Sequence, residues 1–179
     1  MDPCFRRNDG GGAEMTRKGR ITEAFARITA FIIILTTLTA TAIPQNLSVP
    51  RFVTIKFSEV NARTGPMQDC PIEWVFVKKG EPVEVVAEYD QWRQIRDIHS
   101  EGGWVHANVI SGKRSVVVIA KDTTALLSAP GKYDQIVANL APQIRCDLDK
   151  CKNDWCSISC KSYKGWIAKK FLWGVYPDE

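Results

Sequence analysis

The chain has 179 residues, which is enough for one or two small domains. Its composition, 45% hydrophobic and 25% charged, is that of a globular protein with a packed core. The formal net charge is only +4, and the lysines and arginines are interleaved with aspartates and glutamates. Because nucleic-acid binders usually carry a stronger and more clustered basic excess, we expect no nucleic-acid partner.

The first predicted element is a signal peptide helix over residues 1–42. A basic cluster, "MTRKGR", precedes an apolar run from Phe25 to Ala42 whose one charge is Arg27, and the run ends in Ala40-Thr41-Ala42. This order is typical of a cleaved secretory signal, so the mature protein is expected in the periplasm or outside the cell. An uncleaved anchor is the alternative, and it would be the only contact with a membrane. A buried globular helix would need a polar face, which the run lacks.

Residues 1–14, at the start of this segment, have none of the features of a signal peptide. The stretch is polar, rich in glycine and without apolar periodicity. We therefore expect translation to start at Met15, in which case Cys4 is not part of the natural product.

Beyond Pro50 the pattern predicts strands. Short segments rich in valine, isoleucine and aromatic residues, such as "RFVTIKF", "PVEVVAEY" and "SVVVIAKD", are separated by glycine, proline, aspartate and asparagine. No segment of ten or more residues shows helical periodicity. The mature chain is therefore predicted to be all-β.

The two halves of this region resemble each other. "NARTGPMQDCPI" aligns without a gap with "ALLSAPGKYDQI", and further along Trp92 aligns with Trp155 and Trp104 with Trp166. The offset changes only from 64 to 62 residues, which indicates a duplicated unit of about 60 residues. We predict two small domains, 52–112 and 113–176.

A unit of this size can bury only a thin core, and a small closed barrel suits it because closure removes open sheet edges. The predicted core of the first copy is Val83, Val85, Ile95, Trp104 and Val105, and that of the second is Ile144, Ile158, Trp166 and Ile167.

The order of motifs resembles the bacterial SH3-like domain, often called SH3b. The first copy carries Asn-x-Arg-x-Gly-Pro at residues 61–66, then 79–85, 92–95 and 103–105; the second keeps Pro130, Trp155, Gly165 and Trp166 but has Ala125 and Leu127 at the Asn and Arg positions. The resemblance covers nearly all of 52–176. The C-terminal stretch "LWGVYPDE" also resembles the end of secreted tandem SH3-like proteins of Gram-negative bacteria. It implies two SH3-like β-barrels that bind cell-wall peptide or another envelope protein.

Four cysteines lie within "CDLDKCKNDWCSISC", residues 146–160. Zinc ligands, reactive thiols and disulfides are all compatible with the spacing alone. Export favours disulfides. A hairpin register carried over from the first copy, with Glu88 opposite Trp92, sets Cys151 opposite Trp155 beside Cys156, and Cys146 opposite Cys160.

We therefore predict the disulfides Cys151–Cys156 and Cys146–Cys160, and no metal site. The first pair also resembles a Cys-x3-Trp-Cys arrangement of the SH3-like family. Cys70 is left over. We expect it to be a small buried apolar residue, and an intermolecular disulfide is the alternative.

Catalytic motifs are missing from the mature sequence, which lacks a nucleophile-elbow serine, a phosphate-cradling glycine loop and the His-Glu-x-x-His motif. We therefore expect no enzyme activity, no catalytic residue and no cofactor.

Candidate ligand-binding residues are aromatic side chains without an evident core role, together with one arginine that suits a carboxylate. They are Arg63, Trp74, Trp92, Trp155, Trp173 and Tyr176. Padding of the barrels, or of the seam between them, is the alternative for the aromatics. The function predicted first is a non-catalytic envelope-binding module; a structural adaptor is the second hypothesis and an envelope hydrolase the third.

Overall fold

The computed structural model describes residues 47–179, of which 48–179 belong to one compact unit. The predicted signal peptide and the start at Met15 fall outside the described residues. Residues 47–179 form strands and two single turns of 3-10 helix, Ala107–Val109 and Lys169–Phe171, which confirms the all-β prediction for this part of the chain. None of its helical turns is long and apolar enough to cross a bilayer.

The first barrel is a sheet of seven antiparallel strands in the order β3-β2-β6-β5-β4-β1-β7. Its strands are β1 (Arg51–Ile55), β2 (Val60–Arg63), β3 (Ile72–Phe76), β4 (Pro82–Tyr89), β5 (Trp92–Arg96), β6 (Gly102–His106) and β7 (Ile110–Ser111).

The second barrel repeats this order as β10-β9-β13-β12-β11-β8-β14. Its strands are β8 (Ser115–Val118), β9 (Thr124–Leu127), β10 (Ile136–Leu140), β11 (Arg145–Lys152), β12 (Trp155–Cys160), β13 (Tyr163–Ala168) and β14 (Leu172–Trp173). Each strand of the second barrel occupies the place of the strand seven earlier, so the duplication seen in the sequence is a duplication of the fold.

Each barrel encloses its own apolar core. Of the residues predicted to be buried, those that are fully buried are Val83, Val85, Ile95, Val105, Ile158 and Ile167, and Ile144 is half-buried against the second core.

Trp104 and Trp166 are only half-buried, and the prediction that they belong to the core is wrong. Successive side chains of a strand point to opposite faces. Val105 and Ile167 point inward, so the tryptophan before each of them lies on the outer face. There the Lys150 ammonium lies 5.9 Å from the centre of the Trp166 ring.

The hairpins β4–β5 and β11–β12 turn at equivalent places. Asp90 and Asn153 adopt positive φ angles, +48° and +52°, which these residue types tolerate in tight turns. Each longer strand carries a bulge before the turn, between Val85 and Ala87 and between Leu148 and Lys150. The bulges shift the register by one residue, so Trp92 pairs with Tyr89, not with Glu88, and Trp155 pairs with Lys152, not with Cys151.

This one-residue shift brings Cys151 directly opposite Cys156. Cys151 and Cys156 form a disulfide with their Cα atoms 4.0 Å apart, and Cys146 and Cys160 form a second one with 4.5 Å between Cα atoms. These are the two pairs expected from the sequence. Cys70 is buried, as expected, and it is disulfide-bonded, so it is not merely a small apolar residue of the core.

The two barrels meet at a seam that is built largely by residues 173–176 of the C-terminal segment. The Phe52 ring of β1 packs on Trp173 and Tyr176, with ring centres 5.1 and 4.7 Å away. The Tyr176 hydroxyl donates a 2.7 Å hydrogen bond to Glu84, which is buried in the first barrel. A bidentate pair from Arg145 to Glu81, at 2.5 and 2.9 Å, adds a second link.

Candidate ligand grooves

The first groove lies on the first barrel beside the β4–β5 turn and has a volume of about 340 Å³. Trp92 pairs with His106 across β5 and β6, and their rings meet edge to face with centres 5.7 Å apart. The remaining lining is mostly polar and includes Glu59, Asn61, Arg63, Gln68 and Asn108.

Two of its polar groups already have partners within the barrel. Arg63 is half-buried, and its Nη1 donates a 2.7 Å hydrogen bond to the carbonyl oxygen of Cys70, which holds the loop after β2 in place. The Nδ1 atom of His106 accepts a 3.3 Å hydrogen bond from the backbone N–H of Asn108. The imidazole is therefore oriented with its Nε2 atom left for other contacts.

The second groove occupies the equivalent position on the second barrel and is smaller, at about 180 Å³. Trp155 pairs with Ala168 across β12 and β13, and the Tyr133 ring meets it at 65° with centres 5.9 Å apart. The other lining residues are Thr124, Ala125, Leu127, Ile167, Lys170 and Phe171. Apart from Thr124 and the charged end of Lys170, these walls are apolar.

Glycine is required beside both grooves because neighbouring strands approach closely. A Cβ atom on Gly103 would lie 2.7 Å from the carbonyl oxygen of Arg63, and one on Gly165 would lie 2.6 Å from that of Leu127. Any side chain here would separate β6 from β2, or β13 from β9, and would displace the wall that carries Arg63 or Leu127.

Trp74 lies elsewhere, on the edge strand β3, with 38% of its surface exposed. It borders a cleft of about 240 Å³ to which the first barrel contributes Lys78, Asp97 and His99 and the second contributes Gln143 and Arg145. Trp173 and Tyr176 lie in the seam, packed on Phe52. Burial and the hydrogen bond to Glu84 raise the pKa of Tyr176, which keeps its phenol protonated.

The six predicted ligand residues therefore do not form one site. Arg63 and Trp92 share the first groove, Trp155 lines the second, Trp74 borders the cleft, and Trp173 and Tyr176 belong to the seam. The sequence analysis missed Tyr133, Lys170 and Phe171. The repeat alignment held a signal for the last two, because it places Lys170 and Phe171 at the positions of Asn108 and Val109, which line the first groove.

Between residues 47 and 179, no cluster of three or more histidine, cysteine, aspartate or glutamate side chains has the geometry of a metal site. The four cysteines of the segment 146–160 are engaged in the two disulfides of the second barrel.

Comparison with known proteins connects these features to a family. A family model described as "Bacterial SH3 domain" matches twice, at residues 56–112 and 120–174, and together the matches cover more than half of the chain. Each match falls on one of the two seven-stranded sheets.

A curated relative is YrvJ of Bacillus subtilis (strain 168), provisionally named an N-acetylmuramoyl-L-alanine amidase. It is 26% identical in an alignment of 128 positions that covers 66% of this chain and 24% of the relative. The chain thus spans about a quarter of the length of this relative.

Among solved structures, NlpC2 and NlpC1 of Trichomonas vaginalis are similar to 71% of this chain, with 13% and 14% identity. The similarity covers 49% and 46% of those chains, and the TM-score is 0.33 for both, which is too low to support an argument. The double match to the family model is decisive, and this chain belongs to the bacterial SH3 domain family, of which it carries two copies in tandem.

Proposed function

We propose that this protein is a non-catalytic binding module of the bacterial cell envelope that recognises the stem peptide of peptidoglycan or an envelope protein. Bacterial SH3 domains are cell-wall binding modules, and this chain has two of them. The relative from Bacillus subtilis is named for an amidase of N-acetylmuramoyl-L-alanine, a unit of peptidoglycan. Because the match spans only a quarter of that relative, its activity is not carried over to this chain.

The observation that carries the proposal is an open groove walled by a tryptophan, which the duplication provides at the same point of each barrel, so that one of the two can serve as the binding site. Aromatic walls beside amide and charged groups are the usual chemistry of peptide and sugar recognition.

The disulfides support a location outside the cytoplasm. Both bridges lie in one fifteen-residue segment of the second barrel, residues 146–160. Such bonds persist only where the surroundings are oxidising. The periplasm and the outside of the cell meet this condition, and the export signal predicted from the sequence would direct the protein there.

Binding can be tested by mixing the folded protein with purified insoluble peptidoglycan and sedimenting the polymer. We expect the protein to be retained at moderate salt and to stay in solution with chitin, an insoluble glycan that lacks peptides. Equal recovery in the supernatant with both polymers would remove the peptidoglycan form of the proposal.

A structural adaptor is the second candidate, and the edge strand β3 favours it. Ile72, Trp74 and Val75 on this strand are 50%, 38% and 40% exposed, and among residues 47–179 no strand pairs with its outer edge, so its apolar side chains suit strand addition by a protein partner. Crosslinking in cells tests this candidate: one dominant protein adduct through position 74 supports it, and adducts to peptidoglycan alone contradict it.

A further inference from the structure

The duplication supplies two grooves whose frames are the same and whose side chains differ. Trp92 opposite His106 corresponds to Trp155 opposite Ala168, and Arg63 opposite Trp104 corresponds to Leu127 opposite Trp166. At the remaining equivalent positions the first groove has Asn61 and Asn108 where the second has Ala125 and Lys170. Each groove therefore serves as a control for the other, because the backbone frame is the same and only the side chains differ.

Because of these side-chain differences, the walls of the second groove carry fewer polar groups than those of the first. Asn61, Arg63 and His106 can each hold water in the first groove, whereas alanine, leucine and alanine stand at those places in the second. An apolar wall that faces water gains free energy when a ligand covers it, by roughly 25 cal/mol for each Å² that is buried. Tyr133 and Trp155 meet edge to face with ring centres 5.9 Å apart, and together they form one aromatic wall of the groove, whose volume of about 180 Å³ suits a small apolar side chain.

The side-chain differences also place a cation, Lys170, at the rim of the second groove. The Lys170 ammonium lies 5.0 Å from the centre of the Phe171 ring and is exposed, while the equivalent residue in the first groove is the neutral Asn108. The whole barrel shows the same trend. Residues 113–176 carry eleven Lys and Arg against five Asp and Glu, a net of +6, whereas residues 52–112 carry six against nine, a net of −3. Long-range attraction and the local cation both favour an anionic ligand at the second groove.

We infer that the second groove is the ligand site of the tandem pair, and that it takes a peptide in which a small apolar side chain lies next to a carboxylate. This inference rests on the proposed function, within which the occupant is the stem peptide of peptidoglycan, a chain of alanines and carboxylate-bearing residues. An alanine methyl group packs in the groove against the wall formed by Tyr133 and Trp155, and a stem carboxylate pairs with Lys170. The first groove, polar and on an acidic barrel, does not take this ligand.

The test uses matched variants of the full-length protein in peptidoglycan sedimentation. Lys170→Gln and Trp155→Ala alter the second groove, and Asn108→Gln and Trp92→Ala alter the equivalent positions of the first. We expect the two second-groove variants to weaken retention by tenfold or more and the first-groove variants to change it by less than twofold. Retention of the unaltered protein should weaken as salt is raised, and Lys170→Gln should reduce that salt dependence.

The outcomes separate this inference from the proposed function. If the unaltered protein is retained and Lys170→Gln is retained equally well, the second groove is not the site and the proposed function still stands. If Trp92→Ala or Asn108→Gln causes the larger loss, the first groove is the site and the inference is overturned. If the unaltered protein is not retained at all, the proposed function fails and this assignment fails with it. Lys170 is exposed, so Lys170→Gln folds and decides the question even if Trp155→Ala does not.

Discussion

The disulfide between Cys146 and Cys160 is expected to contribute a large share of the stability of the second barrel. Both residues are buried, and the bond joins the start of β11 to the end of β12 with a sequence separation of 14. Constraint of the unfolded chain by a loop of this size stabilises the folded state by about 3 kcal/mol, and the shorter Cys151–Cys156 loop contributes about 2 kcal/mol. Since a domain is stable by only about 5–15 kcal/mol in total, replacing Cys146 and Cys160 together by alanine removes a substantial fraction.

Paired substitution is a cleaner perturbation than reduction, because a reductant also breaks the disulfide that involves Cys70 in the first barrel. Urea unfolding followed by tryptophan fluorescence reports the total change in free energy. Hydrogen exchange measured peptide by peptide separates the barrels, and we expect the amides of β12 to lose far more protection than those of β5. The Cys151→Ala, Cys156→Ala pair is the matched control and should cost less.

The result that would refute this reasoning is an unfolding midpoint equal to that of the unaltered protein. A loss of protection in β5 as large as that in β12 would contradict the expectation that the bridge stabilises mainly the second barrel. In that case the seam would couple the two barrels so tightly that the bridge stabilises both.

Three further predictions concern the grooves and the seam. Gly165→Ala should destabilise the second barrel by about 1–3 kcal/mol, since its Cβ meets the Leu127 carbonyl oxygen at 2.6 Å, whereas Gly112→Ala, with open space around it, should be nearly neutral in the same urea titration. Tyr176→Phe should cost about 1–3 kcal/mol, because it leaves an oxygen of the buried Glu84 without its phenol donor; an unchanged urea midpoint would mean that water replaces the hydroxyl. Burial tends to raise the pKa of Glu179, but the hydrogen bonds from Arg114 and the Tyr176 backbone outweigh it and hold the pKa below its ordinary value of 4.5. The stabilisation is therefore present above pH 4.5 and is lost as the pH falls through the lower folded value, so Glu179→Gln should flatten this acid limb in pH-dependent melting curves.

Much of the candidate site could be read from the sequence because it depends on local pattern and on repetition. The alignment of the two copies put Trp92 and Trp155 at equivalent turn exits, and the structure places one in each groove. It could not show that Tyr133 closes the second groove, since Tyr133 belongs to the loop between β9 and β10 and reaches Trp155 only when β9 packs beside β13.

The sequence by itself determined the duplication, the all-β character, most of the core and which cysteines are near each other, because these follow from side-chain periodicity and short separations along the chain. Only the tertiary structure decided the bulges that set Cys151 opposite Cys156 and the burial of Tyr176 against Glu84. These outcomes depend on contacts between residues far apart in the chain, such as Glu84 and Tyr176. No local pattern encodes such contacts, because their free energy exists only once both barrels have folded and met.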